Sequence, residues 1–193
     1  MRSAPSGRIA GAPLAGAARR RYPGAMTTRS HLKGDAASTA VYSPCERYRY
    51  LLTRIWEAEA PRVLFVMLNP STATELQNDP TVERCERRAR ALGYGGFRVC
   101  NIFAWRATDP RALRRVPDPV GPDNNAAIAE SAPWADRVIC AWGTHGAHLA
   151  RGPAVEGLLR RSGAALFHLG LTRHGHPRHP LYVAYAESPR PWT

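Results

Sequence analysis

The polar residues that could do chemistry in this chain follow its apolar segments. Asn69 comes directly after six apolar residues, Val63 to Leu68, and is followed by Pro70 and Ser71. The apolar run predicts a strand buried on both faces, as in a parallel sheet covered by helices. Pro70 keeps Asn69 out of the helical region. The Asn69 amide is therefore expected at the carboxyl end of a central strand, where open α/β sheets bind ligands.

Further polar and aromatic side chains follow the other predicted strands. Because the carboxyl ends of parallel strands share one edge, we expect these side chains to gather at a single rim. A polar pocket with aromatic walls suits a planar ligand such as a nucleobase, and guanidinium groups suit phosphate. The candidate base-binding residues are Ser71, Asn101, Phe103 and Trp105, and the candidate phosphate-binding residues are Arg106 and Arg178.

Each of these residues also has an ordinary structural interpretation. Asparagine before proline is a common turn device, and Asn101 could satisfy backbone groups of a loop. Tryptophan is more often a core residue than a stacking platform. Asp79 and Asp109 are acid–base candidates, but both precede proline and also suit turns or helix caps. The functional interpretation depends on the coincidence of several strand ends.

The elements that must position these residues alternate between strands and helices. Asp79 as the cap and Pro80 as the first residue predict a helix that ends at Gly93. The β-α-β order predicts an α/β fold: a three-layer α/β/α sandwich with a mostly parallel sheet of four or five strands. We predict strands at 48–56 (an edge strand), 63–68, 97–103, 137–142, 165–169 and 181–184, and further helices at 123–132 and 153–162.

The amino-terminal part of the chain differs in composition from the rest. Residues 1–40 carry seven basic groups and one acid without apolar periodicity, which predicts a disordered basic extension. Met26 is an alternative start. Residues 41–193 are expected to form a single domain. The net charge of +12 favours polyanionic partners, so nucleic acid or nucleotides are the expected partners.

The chain lacks several familiar signatures. No apolar run reaches the roughly 18–20 residues of a membrane helix, so we expect a cytoplasmic protein, monomeric by default. No C-x-x-C pair, phosphate loop, dinucleotide fingerprint or nucleophile elbow is present, so neither metal nor cofactor is predicted. Metal-assisted hydrolysis by His174, His176 and His179 remains an alternative.

Several longer motifs resemble the family catalogued as domain of unknown function 1643. The similarity covers about residues 44–192, nearly the whole predicted domain. The family has no activity attached to its name. The matching motifs run over residues 67–73, 78–81, 93–96, 101–110, 121–124 and 175–182.

A more distant resemblance is to the uracil-DNA glycosylase superfamily, whose fold is an α/β/α sandwich. Residues 68–71 are similar to its first motif, with Met67 where glycine is usual, so that Asn69 would position the attacking water. Asn101 is similar to the asparagine that holds the base. His176, before Pro177, is similar to the histidine that stabilises the departing base. The resemblance implies that Asn69 and His176 are catalytic.

Together these features favour a nucleic-acid enzyme with a glycosylase-like pocket, a hydrolase of N-glycosidic bonds. Two alternatives from other classes remain open. One is a non-catalytic module that binds nucleotides or nucleic acid through the same pocket. The other is an enzyme that acts on free nucleosides or nucleotides.

Overall fold

The computed structural model describes residues 26–193, which form one mixed sheet of eight strands with three α-helices. No helix in this part of the chain is long and apolar enough to cross a membrane. The elements are β1 Thr27–Lys33, β2 Ala36–Tyr42, β3 Arg49–Ile55, β4 Arg62–Met67, α1 Pro80–Ala91, β5 Gly96–Asn101, α2 Asn124–Ser131, β6 Arg137–Cys140, α3 Arg151–Arg161, β7 Leu166–His168 and β8 Arg190–Pro191. Short 3-10 helices cover Pro110–Arg115, Thr144–Ala150 and Pro180–Tyr182.

The centre of the sheet is parallel and covered on both faces. The strand order is β1-β2-β3-β5-β4-β6-β7-β8, and β5, β4, β6 and β7 run parallel to one another. Val63 and Phe65 of β4 pack in the same apolar cluster as side chains of α1. Leu64 and Val66 pack with side chains of α2 and α3 on the other face. The prediction of an α/β fold with a doubly buried strand is therefore confirmed.

The prediction of a mostly parallel sheet of four or five strands is wrong. Four of the seven strand pairings are antiparallel: β1 with β2, β2 with β3, β3 with β5 and β7 with β8. The predicted edge strand, β3, lies between β2 and β5. The predicted strand at 181–184 is also wrong, because His179 caps and Pro180 begins a 3-10 helix there.

Disorder over residues 1–40 is contradicted for residues 27–40, which belong to the β1–β2 hairpin. The inward positions of β2 are Ala36, Ser38, Ala40 and Tyr42. Because three of these four side chains are small, the alternation of buried and exposed positions produces almost no apolar periodicity in the sequence. Residues 1–25 lie outside the described residues.

Buried side chains of β2 and β3 hold the loop at residues 68–79, which connects β4 to α1. Arg49, Arg54 and Ser38 donate hydrogen bonds, in that order, to the three consecutive carbonyl oxygens of residues 73–75. Burial lowers the pKa of Arg49 to about 10, so its guanidinium stays charged at neutral pH. The antiparallel strands therefore fix the loop that carries Asn69.

We expect Arg54→Ala to reduce the free energy of unfolding by about 3 kcal/mol, because it leaves buried acceptors without donors and opens a void. The matched control is Arg87→Ala, which removes an exposed ion pair with Glu83 and should cost less than about 0.5 kcal/mol. Urea denaturation of both variants measures the difference. Equal losses would contradict a structural role for the buried guanidinium.

Candidate functional site

A cleft of about 710 Å³ opens at the carboxyl edge of the parallel strands. Its walls come from the loop after β4, the first turn of α1 and the segments that follow β5, β6 and β7. Leu68, Trp142 and Leu181 contribute apolar surface to it. Both the volume and the mixture of apolar walls with a few polar groups are typical of sites for small molecules or single nucleotide units.

Asn69 lines this cleft in a fixed orientation. Its Nδ2 donates to the carbonyl oxygens of Ala107, at 2.7 Å, and Pro70, at 3.0 Å. No donor among the described residues reaches its Oδ1. Asn69 is only partly buried, so this oxygen remains available as a hydrogen-bond acceptor, for example to orient a water molecule.

His179 also lines the cleft and is neutral at physiological pH. Burial lowers the pKa of its imidazole to about 4, and the opposing charge of Asp79 raises it by less. Its Nδ1 accepts the N–H of Leu181 at 3.4 Å, which assigns the proton of the neutral ring to Nε2. His179 therefore offers the cleft an uncharged N–H donor.

Asp79 is the only carboxylate among the described residues that line the cleft. It caps α1 as predicted, because its Oδ1 accepts the N–H groups of Thr81, at 3.0 Å, and Val82, at 2.9 Å. These bonds and the buried Arg49 beside it keep the carboxylate in place. The residue thus ends the loop at 68–79 and places a fixed negative charge beside His179.

Three of the predicted site residues line the cleft: Asn69, Ser71 and Arg178. His176 does not, because it belongs to a tight turn in which its N–H donates to Thr172 Oγ1 and its carbonyl accepts the Thr172 N–H. The sequence contains two His-Pro pairs, at 176–177 and 179–180. The second pair was the available signal for His179, and the spacing of residues alone does not distinguish the two.

Asn101 and Phe103 lie inside the fold rather than on the cleft wall. Asn101 is 1% exposed, Phe103 is fully buried, and neither polar atom of the Asn101 side chain has a partner. The physical reason is that pairing continues past β5, since the N–H groups of Ile102 and Phe103 donate to the carbonyls of Met67 and Leu68. The chain reaches the rim only beyond residue 104.

Trp105 and Arg106 lie on the wall of a second, shallower cavity of about 400 Å³. This cavity adjoins the cleft, because Ser71 and Thr108 line both. The two residues predicted to contact base and phosphate are therefore outside the cleft but next to it. The structure thus places the predicted residues in four settings: the cleft, the adjoining cavity, the core and, for His176, the turn with Thr172.

The histidine-rich loop does not gather a set of metal ligands. Within residues 26–193, no three His, Cys, Asp or Glu side chains come together in a way that could hold a metal ion. His174 is instead an acceptor for the guanidinium of its neighbour Arg173, at 2.9 Å.

The family described as "Protein of unknown function (DUF1643)" matches residues 49–181 of this chain. The match spans more than half of the sequence and includes Asn69, Asp79 and His179. The chain therefore belongs to this family, as its motifs predict. Comparison with curated proteins finds no match. The resemblance to uracil-DNA glycosylases stays a prediction.

We expect His179→Gln to weaken the pH dependence of stability. His179 has a pKa of about 4 in the folded protein against an ordinary 6.5, so the unfolded chain binds more protons between these values. The free energy of unfolding of the parent protein therefore falls as pH drops from 6.5 to 4, with a share from His179 on the order of 2 kcal/mol.

Urea denaturation at pH 7, 5.5 and 4 measures this share. Burial also lowers the pKa of His168, but that residue is present in both proteins and its effect cancels. Parallel pH profiles for the parent and His179→Gln would contradict a neutral, partly buried imidazole.

Proposed function

We propose that this DUF1643 protein is an enzyme that binds a nucleobase in the cleft and hydrolyses the N-glycosidic bond that joins the base to its sugar. The observation that carries the proposal is one shared cleft in which His179 is an uncharged N–H donor and Asn69 has a free acceptor oxygen. Such a pair matches the needs of a departing base and an attacking water.

The cleft suits a planar base inserted edge-first. Leu181 and the exposed ring of Tyr182 supply surface for the ring faces, and hydroxyl groups of Ser71 and Thr81 lie within the same lining. The cleft volume of about 710 Å³ accommodates a base together with its sugar.

His179, Asn69 and Asp79 each have a separate role in the proposed reaction. The C–N bond breaks with its electron pair moving to the base, and Nε2–H of His179 donates to the oxygen on which negative charge develops. Asn69 Oδ1 accepts a hydrogen bond from water and directs its oxygen to the sugar carbon, where the new C–O bond forms. Asp79 supplies negative charge near the electron-poor sugar. The water proton passes to solvent, since an amide is not a base.

The resemblance to uracil-DNA glycosylases is part of this proposal, and the parallel centre of the sheet with helices on both faces is compatible with it. Met67, at the position where the resemblance has glycine, packs its sulfur against Cys85 at 3.7 Å in the core. All four cysteines are free, which suits a reducing cytoplasm. A cytoplasmic glycosylase-like enzyme is therefore the form of the proposal that we favour.

A second candidate is a module that binds the same base without turnover. It is favoured by one observation: the only carboxylate in the described cleft lining, Asp79, already accepts hydrogen bonds from the first turn of α1. A protein of this kind would bind base-containing ligands and leave them chemically unchanged.

We expect base release from a panel of modified-base oligonucleotides and nucleosides, detected by chromatography and, for oligonucleotides, by alkali-induced strand cleavage. His179→Gln and Asn69→Ala should each lower kcat by about 100-fold or more, because each removes an interaction with charge that develops in the transition state.

The matched control is His176→Gln, a second histidine three residues earlier that lies outside the cleft, and it should retain activity. Binding without any base release by the folded protein would favour the second candidate. Loss of activity in His176→Gln but not in His179→Gln would refute the assignment of the donor.

A further inference from the structure

We infer that the second cavity is a subsite for the neighbouring nucleotide, so that the substrate is a polynucleotide strand rather than a free nucleoside. This inference rests on the proposed function of the cleft and names the class of its substrate. The cavity has a volume of about 400 Å³ and is shallow and open to solvent, as a site for an extended chain must be.

The two cavities form a continuous surface. Ser71, Thr72, Ala107 and Thr108 line both of them, so one wall of the cleft is also a wall of the cavity. A ligand whose base occupies the cleft can therefore continue over these residues without leaving the protein. The two hydroxyl side chains on the loop after β4 can donate to a phosphate at the crossing point.

The second cavity carries positive charge that the described residues do not neutralise. Arg47 and Arg106 line it, and neither has a carboxylate partner among the described residues. The one acid in the lining, Glu46, is paired with Arg29. Guanidinium groups without acidic partners are suited to phosphodiester oxygens.

Arg106 is held in position by neutral contacts. Its Nη1 donates to the backbone oxygen of Glu46 at 3.3 Å, and its guanidinium lies 5.3 Å from the ring centre of Tyr42. These contacts orient the guanidinium but leave it without a carboxylate partner among the described residues, as expected of a group that binds an anion.

Trp105 supplies an aromatic surface in the same cavity. Its ring is only partly buried and meets Tyr48 edge-to-face, with ring centres 5.3 Å apart. A tryptophan held in this way can stack a nucleobase of any type. The cavity therefore offers both parts of a nucleotide a partner: Trp105 for the base and the arginines for the phosphate.

Positive charge also lies on the far side of the cleft. Arg178 follows β7, lines the cleft, and donates to the carbonyl of Leu171 at 3.1 Å without a carboxylate partner in the described part of the chain. The order β5-β4-β6-β7 puts three strand spacings, about 14 Å, between the Arg106 and Arg178 sides. Charges on both sides of a base pocket match a nucleotide with phosphates on both sides, as an internal residue of a strand has.

The test compares Arg47→Glu with Arg161→Glu, which makes the same charge change on an exposed residue at the end of α3, away from the cleft. Labelled 12-nucleotide single strands of DNA and of RNA are titrated at several salt concentrations by fluorescence anisotropy. Arg47→Glu should weaken binding of the preferred strand about tenfold and lower its salt slope by about one. Arg161→Glu should stay within twofold of the parent.

Failure of the subsite and failure of the glycosidase are distinguishable. Equal effects of the two substitutions, or no strand binding by the parent protein, would overturn the subsite whether or not bases are released. If bases are released, equal kcat/KM for nucleosides and strands would overturn it as well. A selective loss of strand binding in Arg47→Glu supports the subsite even if no base is ever released, in which case only the hydrolysis fails.

Discussion

The candidate site depends on a loop whose backbone carbonyl oxygens accept hydrogen bonds from buried guanidinium groups. Arg49 and Arg54 reach from β3 to the carbonyl oxygens of the loop at 68–79, and Ser38 of β2 adds a third bond. A loop of this length carries many backbone acceptors, and burying them without donors would be costly. The antiparallel strands β2 and β3 therefore help to fix the path of the chain between Asn69 and Asp79.

The chemistry of the cleft follows from a competition between burial and charge. Asp79 alone would favour a protonated His179, yet removal of the imidazole from water outweighs this charge and brings its pKa to about 4. The ring of Tyr182 lies beside the imidazole, with ring centres 6.0 Å apart. The result is a site with a neutral donor, a neutral acceptor and one carboxylate already tied to a helix. Such a site can stabilise charge that develops on a ligand without itself gaining a proton.

Much of the framework was predictable because it depends on local signals. The doubly buried β4, the cap at Asp79 and the position of Asn69 at a strand end all follow from short patterns. The β1–β2 hairpin was missed because small inward residues bury well without an apolar pattern. Asn101 is predicted at the rim but lies in the core, because backbone pairing with residues 67 and 68 continues through Phe103, and that pairing depends on the partner strand rather than on the sequence of β5.

The sequence by itself determined the family, the α/β class and the strand end that carries Asn69, since hydrophobic runs, caps and prolines act over a few neighbouring residues. Only the tertiary structure decided which histidine shares the cleft with that asparagine. Both residues are histidines followed by proline. His176, however, is hydrogen-bonded in a turn with Thr172, whereas His179 lines the cleft. The difference arises from the direction in which a loop returns across the sheet edge, and that direction is set by contacts between segments far apart in the chain.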